Sequence, residues 1–343
     1  MEQRRRATMR DVAERAGVSQ ATVSLVLNDV AGGRATEETR ARVLAAARDL
    51  EYRTNAFAKT LRSGDSGIIG FISDEVASAP FAGAMLKGAQ ELAWQTGNVI
   101  LSVDTFGRPD LEAAAVDMMH SYQVRGVLYA AMYHRVLDLP AALRDLPAVV
   151  LNAREASARV PSFFPDEEQG GYTATKQLLD AGHDRIAFIN IQEPGSDLPA
   201  GIGRLAGYRA ALEEHDVPFR GQLVRYGGGV VEDGLALARD LMETERPSAI
   251  FCGNDRTAWG AYRALERMGL RVPDDCSIVG FDNQETLAPF LDPGLTTLQL
   301  PFEAMARRAL DAVLDGPEGG SPFNPIECAL VNRGSVASAK VTA

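Results

Sequence analysis

Thr8-Met-Arg-Asp-Val-Ala-Glu-Arg-Ala-Gly-Val-Ser-Gln-Ala-Thr-Val-Ser24 is the stretch on which the fold turns. Thr8, three residues before Asp11, supplies a capped helix start, and Met9, Val12, Ala13 and Ala16 then fall on one face. Gly17 ends that helix and Val18 returns the chain toward the core. Ser19 caps a second short helix, Gln20 to Leu27, with Val23, Val26 and Leu27 inward. A third helix, capped by Thr36, runs from Glu37 to Leu50 and adds Val43, Ala47 and Leu50 to the same small core. Three unrelated surface helices would also carry caps and apolar faces. Here the Ala, Gly, Val and cap positions fall together at the offsets of a helix-turn-helix, whose second helix enters the major groove. Its polar residues Ser19, Gln20, Thr22 and Ser24 can reach base edges or phosphates, while Thr8, Thr39 and helix-end N–H groups can hold the DNA backbone.

Working outward, the charge of the 343-residue chain is divided. Residues 1–62 carry twelve Lys and Arg against eight Asp and Glu, whereas the remainder carries twenty-three against thirty-eight, within an overall charge of −11. A small basic module that meets phosphates is thus joined to an acidic body. With 46% hydrophobic residues the chain buries a sizeable core, which excludes disorder throughout. No apolar run reaches the length of a membrane span, and Met1-Glu-Gln-Arg-Arg-Arg6 does not lead into a signal-peptide core, so no membrane association and a cytoplasmic location are expected. The three cysteines, Cys252, Cys276 and Cys328, sit in or beside apolar runs and read as core residues, with neither a disulfide framework nor a metal set.

From Ile68 onward, short apolar runs alternate with amphipathic helices. Strands are expected at 68–72, 99–103, 126–130 and 148–151, with helices near 81–96, 110–121 and 136–144. A second series of strands follows at 185–190, 223–226, 249–252 and 277–281. Two series of βα units imply two parallel sheets, hence an α/β body of two lobes, and such sheets bind ligands beyond the carboxyl ends of their strands.

The stretch from Thr8 to Ser24, with Val26-Leu-Asn28, Glu38-Thr-Arg40 and Tyr52, resembles the headpiece of the lactose/galactose repressor family of bacterial transcription regulators. Gly182-His-Asp-Arg-Ile-Ala187, Arg204-Leu-Ala-Gly-Tyr208, Asn254-Asp-Arg-Thr-Ala-Trp-Gly260, Gly280-Phe-Asp-Asn283, Leu295-Thr-Thr297 and Arg333-Gly-Ser335 are similar to signatures of its effector domain. The resemblance implies a headpiece at 1–52, a hinge at 53–63, a first lobe of 64–164 with 294–330, a second lobe of 165–293 and a tail at 331–343. The body would be a two-lobed domain like that of periplasmic binding proteins. Asn55-Ala-Phe-Ala-Lys-Thr-Leu-Arg62 resembles the family's hinge, which folds on the operator and pushes a leucine, here Leu61, into the minor groove, with Lys59 near phosphate. The DNA-facing set is completed by Ala21, Leu25 and Asn28 in the headpiece and Asn55 and Ala58 in the hinge. An eight-residue helix is marginal alone, so it needs DNA and a partner copy, which implies a homodimer on a pseudo-palindromic double-stranded operator. Leu25 stands where the family usually has Arg and cannot bond guanine in a bidentate way, and Thr54 stands where it commonly has Pro.

The resemblance also carries Arg204, Asn254 and Asp282 over as effector ligands, joined by Asn152 past the strand at 148–151. Phe81 and Phe302 are expected as apolar walls, and Asp74 and Asp104, at strand ends, as further candidates that also suit helix caps. Asp255 reads as a helix cap. Carboxylate, guanidinium and amide together suit the hydroxyls of a sugar effector. Gly201-Ile-Gly-Arg-Leu-Ala206 fits a dinucleotide fingerprint but lies ten residues past its strand, so no nicotinamide cofactor is expected. No phosphate-binding loop or nucleophile elbow occurs, and His120, His134, His183 and His215 are scattered, so no cofactor, metal or catalysis is expected. The leading reading is a ligand-responsive transcription regulator, a repressor by resemblance. Its alternative is a solute-binding protein of the same two-lobed fold.

Overall fold

A computed structural model of the chain describes residues 7–27, 35–52, 65–76, 83–192, 195–316 and 321–340. It divides into two compact units, 1–67 and 68–343.

In the first unit, α1 (Met9–Ala16), α2 (Gln20–Leu27) and α3 (Glu37–Asp49) form where the caps predict. The Asp11 N–H donates to Thr8 Oγ1 at 3.3 Å and the Thr8 N–H to Asp11 Oδ2 at 2.7 Å, a reciprocal cap that satisfies two otherwise orphaned donors. Gly17 closes α1 at φ +65°, which glycine adopts without strain. Ser19 Oγ accepts from the Thr22 N–H, and Thr36 Oγ1 from the Thr39 N–H. Val12, Val23 and Val43 are completely buried, and Ala13, Ala16, Val26, Ala46 and Ala47 close the core around them.

The second unit holds two six-stranded sheets. The first comprises β1 (Ile68–Ser73), β2 (Val99–Asp104), β3 (Gly126–Ala130), β5 (Ala148–Leu151), β7 (Ser162–Pro165) and β13 (Phe323–Ile326), in the order β13-β7-β5-β3-β1-β2. All its pairings are parallel. Its helices are α4 (Gly83–Gln95), α5 (Pro109–Ser121) and α10 (Phe302–Asp315). The second sheet comprises β8 (Ile186–Asn190), β9 (Val224–Tyr226), β10 (Ala249–Cys252), β11 (Ser277–Asp282), β12 (Thr296–Gln299) and β14 (Ala329–Val331), in the order β14-β12-β11-β10-β8-β9. Only β14 runs antiparallel. Its helices are α6 (Glu167–Asp180), α7 (Pro199–Glu214), α8 (Val231–Thr244) and α9 (Asp255–Arg267). The strands β5, β7, β8 and β10 are buried along their whole length, as strands of sheets covered on both faces require. Cys252, Cys276 and Cys328 are buried thiols within this unit.

Three expectations need correction. The boundary at 293/294 is too early: Thr296–Gln299 pairs with β11 in the second sheet, so the chain returns to the first lobe only around residue 300. It crosses back near 327, and 331–340 is no free tail, because the Ile278 N–H donates to the Ser335 carbonyl and the Ala339 N–H to that of Ala181. The helix expected over 136–144 is absent. Pro140 removes a donor there; Val136–Leu137 (β4) pairs with Arg154–Glu155 (β6), and a single 3₁₀ turn, Ala141–Asp145, follows.

Candidate DNA-reading surface and interlobe cleft

On α2, Ser19, Gln20 and Ala21 are exposed and Thr22, Ser24 and Leu25 half-exposed, while Val23 and Val26 face the core. The helix therefore presents its polar side outward. The hydroxyls of Ser19 and Thr22 bond each other at 2.9 Å, as do those of Thr36 and Thr39, and the Thr8 hydroxyl both donates to and accepts from Asp11 in its cap, so these polar groups are fixed at helix N-termini. Asn28, the hinge 53–63 with Asn55, Ala58, Lys59 and Leu61, and Phe81 lie outside the described residues.

In the second unit a cavity of about 400 Å³ opens between the lobes, beyond the carboxyl ends of the strands. It is lined by Asn152, Arg204, Asn254, Asp282 and Phe302, five of the residues expected from sequence. Asp74 and Asp104 are not in its wall. Asp74 accepts from the Met132 N–H and pairs with Arg135 at 2.7 Å, and Asp104 accepts from Ser73 Oγ.

Close helix packing builds the site's centre. Carbon added at Gly171 or Gly207 would collide with the backbone of the facing helix, so these glycines let α6 and α7 approach until Glu167 meets Arg204. Gly203, of the apparent dinucleotide fingerprint, packs against Glu167 in the same way. Arg204 Nε donates to Glu167 Oε2 at 2.8 Å, both side chains being only 4% exposed. Its Nη1 donates to the Gly253 carbonyl and stands 3.9 Å from Asp282 Oδ1, while the guanidinium lies 3.7 Å over the Phe281 ring. From the first lobe, the His134 Nδ1–H donates to Glu167 Oε1 at 3.2 Å, and its ring stacks on Phe164. Burial would raise the Glu167 carboxyl, but Arg204 and His134 overcome that and hold it below the usual range. A polar chain His134–Glu167–Arg204–Asp282 thus spans the cleft. Sequence reasoning missed Glu167 and His134; a second acid directly after the Asp166 cap was the only signal of the former.

Two asparagines act as braces. Asn254 is the N-cap of α9, accepting from the Thr257 N–H at 2.8 Å and donating to the Gly229 carbonyl at 2.9 Å. Asn152, at φ +54°, donates to the Ala131 and Met132 carbonyls. Asp255 is not the cap expected of it. It accepts from Thr297 Oγ1 at 2.6 Å and from the Gln284 N–H at 2.7 Å, pinning β12 and the turn after β11 to α9. Burial pushes Asp255 up to about 8 and Asp282 up to about 6, and Gln284 bridges the two carboxyls, its side chain donating to Asp282. Two buried atoms of the cavity lining, His134 Nε2 and Arg256 Nε, have no hydrogen-bond partner among the described residues.

Residues 8–55 match the description of bacterial regulatory proteins of the lacI family, and 175–336 that of a periplasmic binding protein-like domain. The HTH-type transcriptional repressor PurR of Klebsiella pneumoniae strain 342 is 34% identical over 90% of this chain and 90% of its own length. The chain belongs to the lacI family of bacterial regulatory proteins. Photobacterium profundum PurR is 31% identical over 90% of the chain and 91% of its own length. Among solved structures, the lac repressor dimer bound to operator and the anti-inducer ONPF has a TM-score of 0.78 at 26% identity, covering 96% of this chain and 99% of that one. The transcriptional regulator CelR–cellobiose complex has 0.64 at 27%, covering 96% and 100%. This lacI-family chain is a ligand-responsive, DNA-binding transcription repressor and not an enzyme, which closes the solute-binding alternative.

Proposed function

We propose that the chain works in the cytoplasm as a homodimer that grips a pseudo-palindromic operator with two α2 helices and two hinge segments, and that a sugar or sugar derivative in the interlobe cleft controls that grip. The observation carrying the effector reading is the His134–Glu167–Arg204–Asp282 chain: a polar line spanning both lobes in a cavity whose wall also holds Met132, Ile191, Leu198, Leu300 and Phe302. A ligand bonded to it holds the lobes in one relative position. Its donors and acceptors suit the paired hydroxyls of a sugar, and the CelR relative was solved with cellobiose. Asn152, Arg204, Asn254, Asp282 and Phe302 form the binding wall.

Two exposed apolar patches support the dimer. Trp94 is 79% exposed beside Val99 on the unpaired edge of β2, and Phe290 is 78% exposed near Trp259 on the second lobe. On α2, Ser19, Gln20, Ala21, Thr22, Ser24 and Leu25 face the bases, with Asn28 beyond the helix. Thr8 and Thr39 hold phosphates; in the hinge Asn55 and Ala58 face the DNA, Lys59 lies near phosphate and Leu61 wedges the minor groove. Ligand-dependent spacing of the two first lobes then couples the sites by about 1–3 kcal/mol, or roughly 5–150-fold in operator affinity. Binding of this protein to operator fragments selected from its own genome, with and without sugars, tests the reading. Asp282→Asn is expected to abolish the ligand effect and keep operator binding; an undiminished ligand effect would remove Asp282 from the site.

A further inference from the structure

Asp282, in the cleft wall, does not stand alone. The turn it begins is strained, with Asp282 at φ +113° and Asn283 at φ +50°, and Gln284 pins it. The Gln284 backbone N–H donates to Asp255 Oδ2 at 2.7 Å, and its side-chain amide donates to Asp282 Oδ2 at 3.1 Å. One residue thus ties two carboxyls together. Asp255 is fully buried, accepts only from the neutral groups of Gln284 and Thr297, and has no ion pair among the described residues. Asp282 has only Arg204, at 3.9 Å, and that guanidinium is already bonded to Glu167 and to the Gly253 carbonyl.

Two buried carboxyls beside one committed guanidinium cannot both stay ionised near neutrality. The other groups around them are Glu167 of α6, Arg256 of α9, Arg333 and the thiols of Cys252 and Cys328, while Lys87, Glu285 and Glu303 stand in the wall of an adjoining cavity that Asp282 also lines. Arg333 is bonded to Asn283 and the Leu295 carbonyl instead of to either acid. Burial favours the neutral form of both, more strongly for Asp255, which lacks any cation partner. Asp255 therefore keeps a proton at neutral pH while Asp282, facing the cleft, ionises, and the two acids take different roles. The Thr297 hydroxyl, 2.6 Å from Asp255 Oδ1, can turn to accept that proton, so the neutral acid keeps both its bonds.

We propose, resting on the sugar reading above, that Asp255, Gln284 and Asp282 form a proton-holding unit that makes the effector response depend on pH: the cleft holds its ligand tightly only while the unit carries one proton, on Asp255. With two protons, Asp282 loses acceptor capacity for the hydroxyls of the effector. With none, the repulsion across Gln284 is relieved only by displacing the strained turn. Calorimetric titration of the full-length protein with glucose, galactose, cellobiose, maltose, lactose and trehalose from about pH 5 to about pH 9 tests this. The affinity of any sugar that binds is expected to be level between about 6 and about 8 and to fall on either side, by up to roughly tenfold per pH unit for a single proton. Asp255→Asn reproduces the protonated acid, its amide donating to Thr297 and its oxygen accepting from Gln284. It is expected to abolish the upper fall and keep the lower one. If that variant fails to fold, Gln284→Leu serves: it removes a donor from Asp282 and is expected to move the lower fall to higher pH. A flat profile, or an upper fall that survives Asp255→Asn, overturns the proton-holding unit and leaves the sugar reading standing. Failure of all six sugars to bind overturns the sugar reading alone, because the proton can be followed without ligand. In full-length protein labelled at its aspartate carboxyl carbons, one aspartate is expected to titrate near 8 in the parent and none in Asp255→Asn; a parent without that titration overturns the unit.

Discussion

Glu167 and Arg204 illustrate what a buried ion pair does. Neither charge would be tolerated alone at that depth, and the geometry compensates both through the Glu167 carboxylate, the Gly253 carbonyl and the Phe281 ring. Removing one partner strands the other, so Glu167→Gln should lower unfolding stability by about 3–5 kcal/mol in denaturant titration. A loss below about 1 kcal/mol would mean that water reaches the pair. Asp255 makes a pH prediction. It keeps its proton in the folded chain up to about 8 but releases it near 3.8 when unfolded, so the folded state binds more protons between those values and stability falls as pH rises through them. Asp255→Asn removes that titration and keeps an acceptor for Thr297 or Gln284. The melting temperature of the variant should therefore decline less than that of the parent over this window, and parallel curves would clear Asp255 of the effect. At this scale the sequence was partly legible. Arg204, Asn254 and Asp282 stood out through their motifs, but Asn254 and Asp255 exchanged the cap role, since either side chain can cap and only the chain's path decides between them. His134 was invisible because its partner lies across a lobe boundary.

Among the elements, caps and periodicity were read best. Met9–Ala16 and Gln20–Leu27 form with the expected ends because each boundary is fixed locally by Thr8, Gly17 and Ser19. Thr8→Ala should destabilise α1 by about 0.5–2 kcal/mol, seen as faster amide hydrogen exchange at Val12 and Ala13 while β10 amides keep their rates. Unchanged exchange in α1 would show that packing alone holds its start. Besides the short β4 and β6, four strands of the two large sheets escaped notice for a nonlocal reason. Phe323–Ile326 contains Pro325 and Ser162–Pro165 ends in proline, which a sheet tolerates at an edge or a strand end. Thr296–Gln299 is polar in sequence, yet its Thr297 hydroxyl is taken by Asp255, and Ala329–Val331 is only three residues long. Two parallel sheets were foreseeable from alternating patterns; which sheet receives a late strand is settled by tertiary pairing.

For the whole molecule, the proposed dimer contact through the exposed aromatics Trp94 and Phe290 makes a prediction. Trp94→Asp, alone and with Phe290→Asp, should shift the chain from dimer to monomer in sedimentation at micromolar concentration and weaken operator binding in parallel. A dimer of undiminished strength would place the contact elsewhere. The path of the chain has its own consequence. The two lobes are linked by passages near residues 165, 300 and 327, and the first and last are laced together where the Asp166 N–H donates to the Ile326 carbonyl. A protease nick at any one passage therefore leaves two intact: the halves would still migrate as one body under native conditions and part only once the polypeptide is unfolded.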